Sequence, residues 1–390
     1  MKILITSDWY SPAVNGVVTS VKNLRRELEQ RGHEVRILTL SQGLNSWEED
    51  GVTYLGSIPV GRIYPGARLR TALAGKWVRE LLEWGPDIVH SQCEMSTFSL
   101  ARRIADELDI PLVHTYHTVY EDYTHYFSPS VRLGKKAVAV LSRWIANHTD
   151  CMIVPTDKVR RLLLGYGVCT PVQVVPSGID LRRFRGEAKQ LAKMRADLGI
   201  PEDRTVLVNV GRLAEEKNLE ELLRFRASMG ECGVTLLLVG GGPWKERLEA
   251  TAAGLGLSAP DVVFAGMVPP ETVADWYKLG DLFVSASTSE TQGLTYVEAL
   301  AAGLPALCRA DECLEDVIRE GENGWQYKNE EEFRAKLEIF LNNPQRREAM
   351  RESALAVAEE YSAERFAQRA EEIYLAQIAR YQRLRQKTAA

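Results

Sequence analysis

The chain has 390 residues and a formal net charge of −5, and 45% of its residues are hydrophobic. This length exceeds what a single core usually spans, so two domains are expected. The acidic balance predicts no nucleic-acid partner, and no apolar run approaches the roughly 20 residues of a membrane-spanning helix. The chain begins with the strand pattern Lys2-Ile-Leu-Ile-Thr6 instead of a signal peptide, which predicts a cytoplasmic protein.

Charge is distributed unevenly along the chain. Residues 1–178 hold 20 Lys and Arg against 18 Asp and Glu, whereas the remaining residues hold 28 against 35. The N-terminal half is therefore the one expected to meet an anionic surface. The six cysteines are scattered without metal-ligand spacing, as expected of thiols in a reducing compartment, and we assign them no chemistry.

Short apolar strands alternate with helical segments along the whole chain. Such strands indicate parallel sheets that are covered by helices on both faces. One series is predicted at residues 3–5, 35–38, 88–90, 112–114, 152–154 and 172–175, and a second at 206–210, 235–239, 262–264, 282–284 and 305–307. The pattern predicts an α/β protein with two doubly wound, Rossmann-like domains facing each other across a cleft. Residues 345–388 are helical by period.

Ligands of doubly wound sheets bind at the carboxyl ends of the strands, so the motifs at these ends are the candidate sites. The first strand leads to Asn15-Gly16, where a helix begins. Gly16 can bring backbone N–H groups close to a phosphate, or it can be an ordinary glycine at a helix start. The strand that ends at Val210 leads to a loop with Arg212 and Lys217, two cations that can neutralise a leaving diphosphate or can be solvated surface charge.

A turn rich in small residues follows the strand at 282–284 and opens a short helix. Glu290 lies in this turn, and Glu298 lies about one turn inside the helix. The helix start exposes the backbone N–H groups of Gln292, Gly293 and Leu294. Such a start suits a diphosphate, and the two carboxylates can meet the sugar and the ribose at its two ends. The alternative is a polar loop with solvated glutamates.

The segment from His114 to Tyr126 holds three of the six histidines and four tyrosines. Hydroxyls and imidazoles in this density suit a sugar, which they can bind by hydrogen bonds and ring stacking. A zinc site made of His114, His117, His125 and Glu121 is one alternative, and a packed aromatic loop is another.

A glycine-rich turn at residues 239–243 is similar to a dinucleotide-binding turn but lacks its full spacing.

Together these motifs resemble the retaining glycosyltransferases of family four, which have the two-domain GT-B architecture. The resemblance covers nearly the whole chain and rests on Asn15-Gly16, His117, Pro176-Ser-Gly-Ile-Asp180, Gly211-Arg212 with Lys217, and the pair Glu290 and Glu298. The segments 114–126 and 285–305 are similar to the bacterial enzymes that glucosylate diacylglycerol. Two departures are Ser177, where the family often has Asn, and residues 308–316, which lack a Gly-Gly pair.

The resemblance implies a role for each domain. Residues 1–176 would bind the acceptor and face the membrane, residues 177–365 would bind the nucleotide-sugar donor, and the helix 366–390 would pack back on the N-terminal domain. Within these domains, Arg212 and Lys217 would hold the diphosphate and Glu298 the ribose. Glu290 would face the donor sugar, and His117 would lie near the reacting sugar.

The implied reaction moves a hexose, expected to be glucose, from a UDP-sugar to a membrane lipid, expected to be 1,2-diacylglycerol, with retention of configuration. No protein nucleophile is needed when the diphosphate leaves from the face that the acceptor enters. The sequence contains no Asp-x-Asp, so no cofactor is required, although magnesium can assist. A soluble or polysaccharide acceptor, a nucleotide-sugar epimerase and a catalytically silent binding protein remain open alternatives.

Two basic segments predict a peripheral contact with the anionic inner face of the cell membrane. Residues 62–79 and 132–145 mix cations with aliphatic residues and a tryptophan at near-helical spacing, which is typical of interfacial amphipathic helices. The predicted contact residues are Arg68, Arg70, Lys76, Trp77, Arg132, Lys135, Lys136, Arg143 and Trp144. The alternative is that both apolar stripes face the domain core.

Overall fold

The computed structural model describes residues 1–13, 15–60, 67–71, 75–121, 130–186 and 190–389. The chain forms two compact units. Unit 1 comprises Met1–Gly178 together with Ala363–Ala390, and unit 2 comprises Ile179–Ser362. The domain boundaries predicted at 176 and 365 lie within three residues of these limits.

The strands of the described residues are numbered in chain order. In unit 1 they are β1 Lys2–Thr6, β2 Glu34–Leu40, β3 Trp47–Glu49, β4 Val52–Leu55, β5 Ser57–Pro59, β6 Arg68–Arg70, β7 Ile88–Ser91, β8 Leu112–Thr115, β9 Cys151–Val154 and β10 Val172–Val174. In unit 2 they are β11 Thr205–Val210, β12 Val234–Val239, β13 Val262–Gly266, β14 Leu282–Ser285, β15 Ala306–Arg309 and β16 Gly324–Tyr327.

The helices follow the same numbering. They are α1 Gly16–Gln30, α2 Gly75–Trp84, α3 Ser96–Leu108, α4 Val131–Ala146, α5 Asp157–Gly165, α6 Arg182–Arg185, α7 Leu191–Asp197, α8 Leu219–Ser228, α9 Lys245–Gly254, α10 Val273–Lys278, α11 Leu294–Ala301, α12 Glu330–Leu341, α13 Pro344–Ala358 and α14 Ala363–Ala389. No helix within these described ranges is long and apolar enough to cross a membrane.

The main sheet of unit 1 has the strand order β10-β9-β8-β7-β1-β2-β4-β3 within the described residues. All pairs are parallel except β3 with β4. The inner strands β7, β8 and β9 are buried along their whole length, as expected of strands covered on both faces. The order reverses between β1 and β7, so the loops that follow these two strands open a crevice at the carboxyl edge of the sheet.

The sheet of unit 2 has the order β13-β12-β11-β14-β15-β16 among the described strands, and every pair is parallel. Two successive three-strand halves wind outward from the centre in this order, as in dinucleotide-binding folds. The reversal lies between β11 and β14. Because ligands bind where the order reverses, the loops after β11 and β14 are the expected binding loops of unit 2.

The sequence-based expectation of a helix across residues 62–79 is wrong for Arg68 and Arg70. These residues form β6, which pairs antiparallel with β5. The backbone groups of Arg68–Arg70 are used in that ladder, and the Arg68 guanidinium donates from Nε to Ser57 Oγ at 2.7 Å. A helix begins only at Gly75, and residues 62–66 and 72–74 lie outside the described part of the chain.

The C-terminal helix α14 belongs to unit 1. Phe366, Ala367, Ala370 and Tyr374 are buried in the same hydrophobic cluster as Ile3, Ile5 and Val113 of the main sheet. At the edge of this contact, Arg31 Nε donates to Glu371 Oε2 at 2.7 Å. The last helix of the chain therefore completes the core that the first strand begins.

We expect Phe366→Ala to destabilise unit 1 strongly, because Phe366 is 1% exposed within that core. A buried phenylalanine cut back to alanine typically costs about 3–5 kcal/mol of unfolding free energy. Leu375→Ala on the same helix is the matched control, since Leu375 is 52% exposed and should change stability by less than about 0.5 kcal/mol. Calorimetric unfolding checks both variants, and equal melting temperatures for them would contradict the packing of α14 described above.

Candidate active site

The loops after β11 and β14 bring two predicted donor residues together in unit 2. Lys217 Nζ lies 2.6 Å from Glu290 Oε1. The side chains are 27% and 11% exposed, so the pair is shielded from most of the solvent that weakens surface ion pairs. A backbone hydrogen bond of 3.1 Å from Thr288 N–H to the carbonyl of Glu216 joins the same two loops. The geometry places a cation and a carboxylate side by side where the strand order reverses.

The turn that carries Lys217 has an unusual backbone. Lys217 ends a 3₁₀ turn, and the next residue, Asn218, has φ 48° and ψ 37° in the left-handed region. Asparagine tolerates this conformation better than most residues. Asn218 Nδ2 donates to Glu221 Oε2 at 3.0 Å, which ties the turn to the first residues of α8.

Glu221 organises a polar network behind this turn that the sequence did not suggest. Its Oε1 accepts from the Tyr327 hydroxyl at 3.0 Å, and its Oε2 accepts from Arg309 Nη1 at 2.5 Å. The network therefore joins α8 to the carboxyl ends of β15 and β16. In sequence Glu221 is one of several charged residues at a helix start, and no signal separates it from a solvated glutamate.

Arg212 follows β11 directly but stays out of the Lys217–Glu290 pair. Its side chain is exposed, and no other described residue pairs with its guanidinium. The neighbouring turn at residues 239–243 presses against this loop, because a Cβ on Gly240 would lie 1.9 Å from the carbonyl oxygen of Gly211. This close approach explains the glycine run without a dinucleotide cofactor.

The start of α11 is shaped by Gly293. This residue has φ 74°, and a Cβ on it would lie 2.6 Å from Tyr296 Cδ2, so only glycine fits without rearrangement. Gln292 before it is buried, and Leu294 begins the helix. The first turn of α11 holds no acidic residue, so the positive end of the helix dipole keeps its capacity to bind an anion.

Glu298 lies one turn inside α11 and is held by a buried tyrosine. The Tyr277 hydroxyl donates to Glu298 Oε2 at 2.8 Å. Burial raises the pKa of the Glu298 carboxyl, whereas the Tyr277 hydrogen bond and the charge of Arg183 lower it. The two glutamates have different partners, since Glu290 pairs with a cation and Glu298 accepts from a tyrosine hydroxyl.

The crevice of unit 1 collects polar side chains at the ends of three neighbouring strands. They end or follow β1, β7 and β8, and the buried ones include Asp8, His90, Gln92, Glu94, His114 and Thr115. Sequence reasoning singled out only His114 among these. Several of the others could have been found from the sequence, because they come directly after an apolar strand. Residues in that position lie at the carboxyl edge of a parallel sheet.

His117 lies in this crevice and contacts Gln92. His117 Nε2 lies 2.7 Å from Gln92 Oε1. Burial lowers the pKa of His117 to about 4, with a raising effect of the Glu94 charge and a further lowering effect of His114. His117 is therefore a neutral imidazole at physiological pH.

The loop after β7 is organised by Asp8. Its carboxylate accepts the backbone N–H of Thr97 at 2.8 Å and that of Met95 at 3.1 Å. Burial raises the pKa of Asp8 to about 6, although these hydrogen bonds lower it.

Gly16 is the first residue of α1 and is exposed. The N-cap of that helix is Asn15, whose side chain accepts a hydrogen bond from Val18 N–H at 2.9 Å.

The zinc alternative involved four residues, of which His125 lies outside the described part of the chain. His114 Nε2 lies 3.4 Å from Glu94 Oε1, and Glu121 pairs with Lys135 at 2.7 Å. Among the described residues no three His, Cys, Asp or Glu side chains are grouped so that they could hold a metal ion.

The two predicted membrane segments differ in the direction of their apolar residues. On α2, Trp77 packs against the core of unit 1, and Lys76 Nζ lies 4.8 Å from the centroid of its ring. On α4, the core side is formed by Gly134, Val138, Ser142, Ile145 and Ala146. Large apolar residues of α4 are nevertheless exposed: Val131, Leu133, Val140, Leu141 and Trp144.

Helix α4 therefore has a second apolar face that points away from the core. Leu133 and Val140 are 63% and 56% exposed and, seven residues apart, lie on one side of the helix, whereas Trp144 is 43% exposed and its ring also packs edge-on against the buried Phe98. The helix contains no acidic residue. Its exposed cations lie beside that face and are Arg132, Lys135, Lys136 and Arg143. The alternative that the whole apolar stripe faces the core is wrong for α4.

Comparison with known proteins agrees with this architecture. The model of the family described as Glycosyltransferase Family 4 matches residues 14–183, and that of Glycosyl transferases group 1 matches residues 191–357. The crystal structure of Anabaena Alr3699/HepE in complex with UDP and glucose superposes with a TM-score of 0.75 at 18% identity, covering 96% of this chain and 100% of that one. The fold is that of the GT-B glycosyltransferases.

Two curated relatives match nearly the whole chain. The alpha-monoglucosyldiacylglycerol synthase of Streptococcus pneumoniae is 37% identical over 384 residues, which cover 96% of this chain and 86% of the relative. The protein of the same name from Acholeplasma laidlawii is 31% identical over 389 residues, with 96% and 97% covered. The chain belongs to glycosyltransferase family 4. The predicted fold class and the predicted retaining, nucleotide-sugar-dependent transfer of a hexose are thereby confirmed.

Proposed function

We propose that the protein transfers glucose from UDP-glucose to 1,2-diacylglycerol with retention of the anomeric configuration. The observation that carries this proposal is the identity of 37% and 31%, over almost the whole chain, to two proteins named alpha-monoglucosyldiacylglycerol synthase. Unit 2 would bind the donor and unit 1 the acceptor, as the resemblance of the motifs implies.

The donor is proposed to lie at the strand reversal of unit 2. The N–H groups at the start of α11, from Gln292 to Leu294, would bind the diphosphate together with Lys217 and the exposed Arg212. Glu298, already held by Tyr277, would accept from the ribose hydroxyls. Glu290 would then face the sugar, and its pairing with Lys217 keeps both groups in place before the donor arrives.

The reaction breaks the bond between the anomeric carbon and the phosphate oxygen and forms a bond from that carbon to the acceptor oxygen on the same face. The acceptor hydroxyl proton passes to the departing phosphate oxygen, so no protein base is required. Negative charge grows on the diphosphate as it leaves. Lys217 and Arg212 stabilise that charge in the transition state, an effect typically worth about 3–4 kcal/mol for a well-placed donor.

We propose that this charge stabilisation needs no bound metal ion, because two cationic side chains and a helix start meet the diphosphate and the sequence has no Asp-x-Asp. Magnesium could assist in addition. Turnover that is unchanged by a chelator would support the proposal, and full loss that magnesium restores would contradict it.

The decisive experiment offers UDP-[¹⁴C]glucose with diacylglycerol in mixed micelles and separates the lipid products. We expect a labelled glucolipid whose anomeric proton has the coupling constant of the α configuration. Label in a soluble glycoside but not in lipid would favour a soluble or polysaccharide acceptor. An isomeric UDP-sugar formed without any acceptor would identify an epimerase, and no reaction with any acceptor would indicate a binding protein.

We further propose that the protein is cytoplasmic and docks on the inner face of the membrane through α4. The exposed apolar face of this helix would enter the interface, and its cations would meet anionic headgroups. Each basic residue near an anionic leaflet contributes about 1 kcal/mol. The exposed Lys76 of α2 and the half-buried Arg70 could add to this contact, whereas Trp77 packs inward and Arg68 is bonded within unit 1.

Replacement of Lys135, Lys136 and Arg143 by serine should weaken binding to phosphatidylglycerol vesicles by at least about tenfold, because three cations leave the membrane face. Leu133→Ser with Val140→Ser should weaken it as well, with less dependence on salt. Co-sedimentation measures both effects.

The matched control removes three exposed arginines elsewhere in unit 1, namely Arg103, Arg160 and Arg161. It changes the net charge equally and should retain most of the binding. Equal loss of binding in the control and in the α4 variant would contradict docking through α4 and leave only a dependence on total charge.

A further inference from the structure

A continuous line of hydrogen bonds runs through the interior of unit 1 from α14 to His117. The Tyr374 hydroxyl lies 2.6 Å from His90 Nδ1. On the other side of that ring, His90 Nε2 lies 3.0 Å from Gln92 Nε2 and 2.7 Å from Thr115 Oγ1. Gln92 Oε1 in turn lies 2.7 Å from His117 Nε2. We name the series Tyr374, His90, Gln92 and His117 the histidine relay.

The inner members of the relay have no access to water. Tyr374 and His90 are 0% exposed, and Gln92 is 1% exposed. His90 is also an unusual residue for its position, because its partners in the neighbouring strands are Ile5 and Val113. A buried polar group among aliphatic residues costs free energy unless it is hydrogen-bonded, and an apolar residue would fill the same place at lower cost. Stability alone therefore does not explain the relay.

The atoms that face each other determine where the protons lie. The amide oxygen of Gln92 faces His117, so His117 carries its proton on Nε2. The amide nitrogen of Gln92 faces His90 Nε2, so His90 accepts there and carries its proton on Nδ1, towards Tyr374. Burial lowers the pKa of both histidines, which keeps both rings neutral. The remaining nitrogen of His117, Nδ1, then holds a lone pair.

We propose that Tyr374, His90 and Gln92 are positioning residues that fix the Nε2–H tautomer of His117, so that His117 Nδ1 accepts a hydrogen bond from a hydroxyl group of the transferred hexose. This inference rests on the proposed function, in which His117 lies near the reacting sugar. In this proposal helix α14 affects catalysis, because it contributes Tyr374. This tyrosine lies outside residues 1–176, which were predicted as the N-terminal domain.

The first test changes the charge of the relay. In Gln92→Glu the carboxylate still accepts from His117 Nε2, but it raises the pKa of His117 by about 1–3 units. The ring then becomes an imidazolium as the pH falls, and Nδ1 changes from acceptor to donor. We expect kcat of this variant to fall about threefold to tenfold between pH 8 and about pH 6, whereas the wild type stays nearly flat. Glu94 and His114 also act on the His117 charge and remain unchanged in the variant.

Gln92→Met fills the same space without a hydrogen bond. It should lower kcat at every pH and introduce no new acidic limb. A Gln92→Glu profile that is parallel to that of the wild type would overturn the proposal.

The second test compares two tyrosines of α14. Tyr374→Phe removes the relay hydroxyl, whereas Tyr381→Phe removes a hydroxyl of the same helix that bonds Asp150 Oδ2 at 3.0 Å. We expect kcat to fall about twofold to tenfold in Tyr374→Phe, the scale of one hydrogen bond, with KM for UDP-glucose nearly unchanged. Tyr381→Phe should retain the wild-type kcat. Equal effects of both variants would mean that the tyrosines only dock the helix.

A direct readout separates the relay from the proposed function. In protein with ¹⁵N-labelled histidine, the ring nitrogen shifts of His117 should report the Nε2–H tautomer in the wild type and a mixture of tautomers in Gln92→Met. An Nδ1–H tautomer in the wild type would overturn the relay. Full activity of His117→Ala would instead refute the role of His117 in the proposed function, whatever the spectra show.

Discussion

Glu290→Gln should remove most of the turnover, by about 100-fold or more, while the Kd for UDP changes by less than about twofold. Glu290 is proposed to face the transferred hexose, which UDP lacks, whereas the ribose of UDP is assigned to Glu298. The substitution removes the carboxylate charge that pairs with Lys217 at 2.6 Å, while the amide oxygen of glutamine can still accept from Lys217 Nζ and keep that lysine in place for the diphosphate. Single-turnover kinetics and calorimetric titration with UDP measure the two quantities.

Glu298→Ala is the informative partner of this variant. Glu298 is proposed to hold the ribose, so its loss should weaken UDP binding by about tenfold or more and lower kcat less than Glu290→Gln does. Glu249→Gln serves as a control, because it changes a glutamate of unit 2 that makes only a 3.7 Å surface pair with Lys245. An equal decrease of UDP affinity in the Glu290 and Glu298 variants would refute the division of roles.

Lys217→Ala is expected to lower kcat by about 100-fold or more, because it removes a cation that meets the growing charge of the leaving diphosphate. Its loss also leaves the Glu290 carboxylate, which is 11% exposed, without this cation. The effects of the two substitutions should be coupled, because the residues pair with each other. The double variant Lys217→Ala with Glu290→Gln should therefore lose far less kcat than the product of the two single fold-decreases.

Arg212→Ala should also lower kcat by about 100-fold, although Arg212 pairs with no other described residue before the donor binds. Lys245→Ala, an exposed lysine of the same unit, is the control and should keep full activity. A loss below about threefold in either active-site variant would mean that these cations are surface charge.

The strands that the sequence predicted are those with continuous apolar residues, and each of them lies in a parallel sheet of the structure. Two of the strands that the prediction missed, β3 and β16, lack this signal, whereas β4 carries the buried residues Val52 and Leu55 and was missed nevertheless. All three residues of β3 are exposed, and β16 mixes Gly324 and Gln326 with its aromatic residues. The near-helical spacing of the cations in residues 62–79 led to the prediction of a helix. That spacing carries no information about backbone pairing with another strand, here of β6 with β5.

The candidate site was predictable where a loop motif carries the chemistry. Glu290, Lys217 and Gly293 stand in short segments directly after a strand, so spacing along the chain indicates them. Glu221, Tyr277 and Tyr374 were not predictable in these roles. Each acts through a contact whose partner is distant in sequence, such as the 284 positions between His90 and Tyr374, and residue type alone does not reveal such a contact.

The position of α14 in unit 1 has a consequence for synthesis of the chain. Unit 2 is one uninterrupted segment, Ile179–Ser362, and can complete its core as soon as that segment has left the ribosome. Unit 1 has to wait, because Phe366, Ala370 and Tyr374 enter its core last. Domains usually fold in the order in which they are made, but here residues 1–178 lack part of their core until residues 363–374 have also been synthesised. A stalled or prematurely terminated chain would therefore hold a finished donor unit beside an N-terminal unit with an open apolar face, a ready substrate for chaperones and proteases.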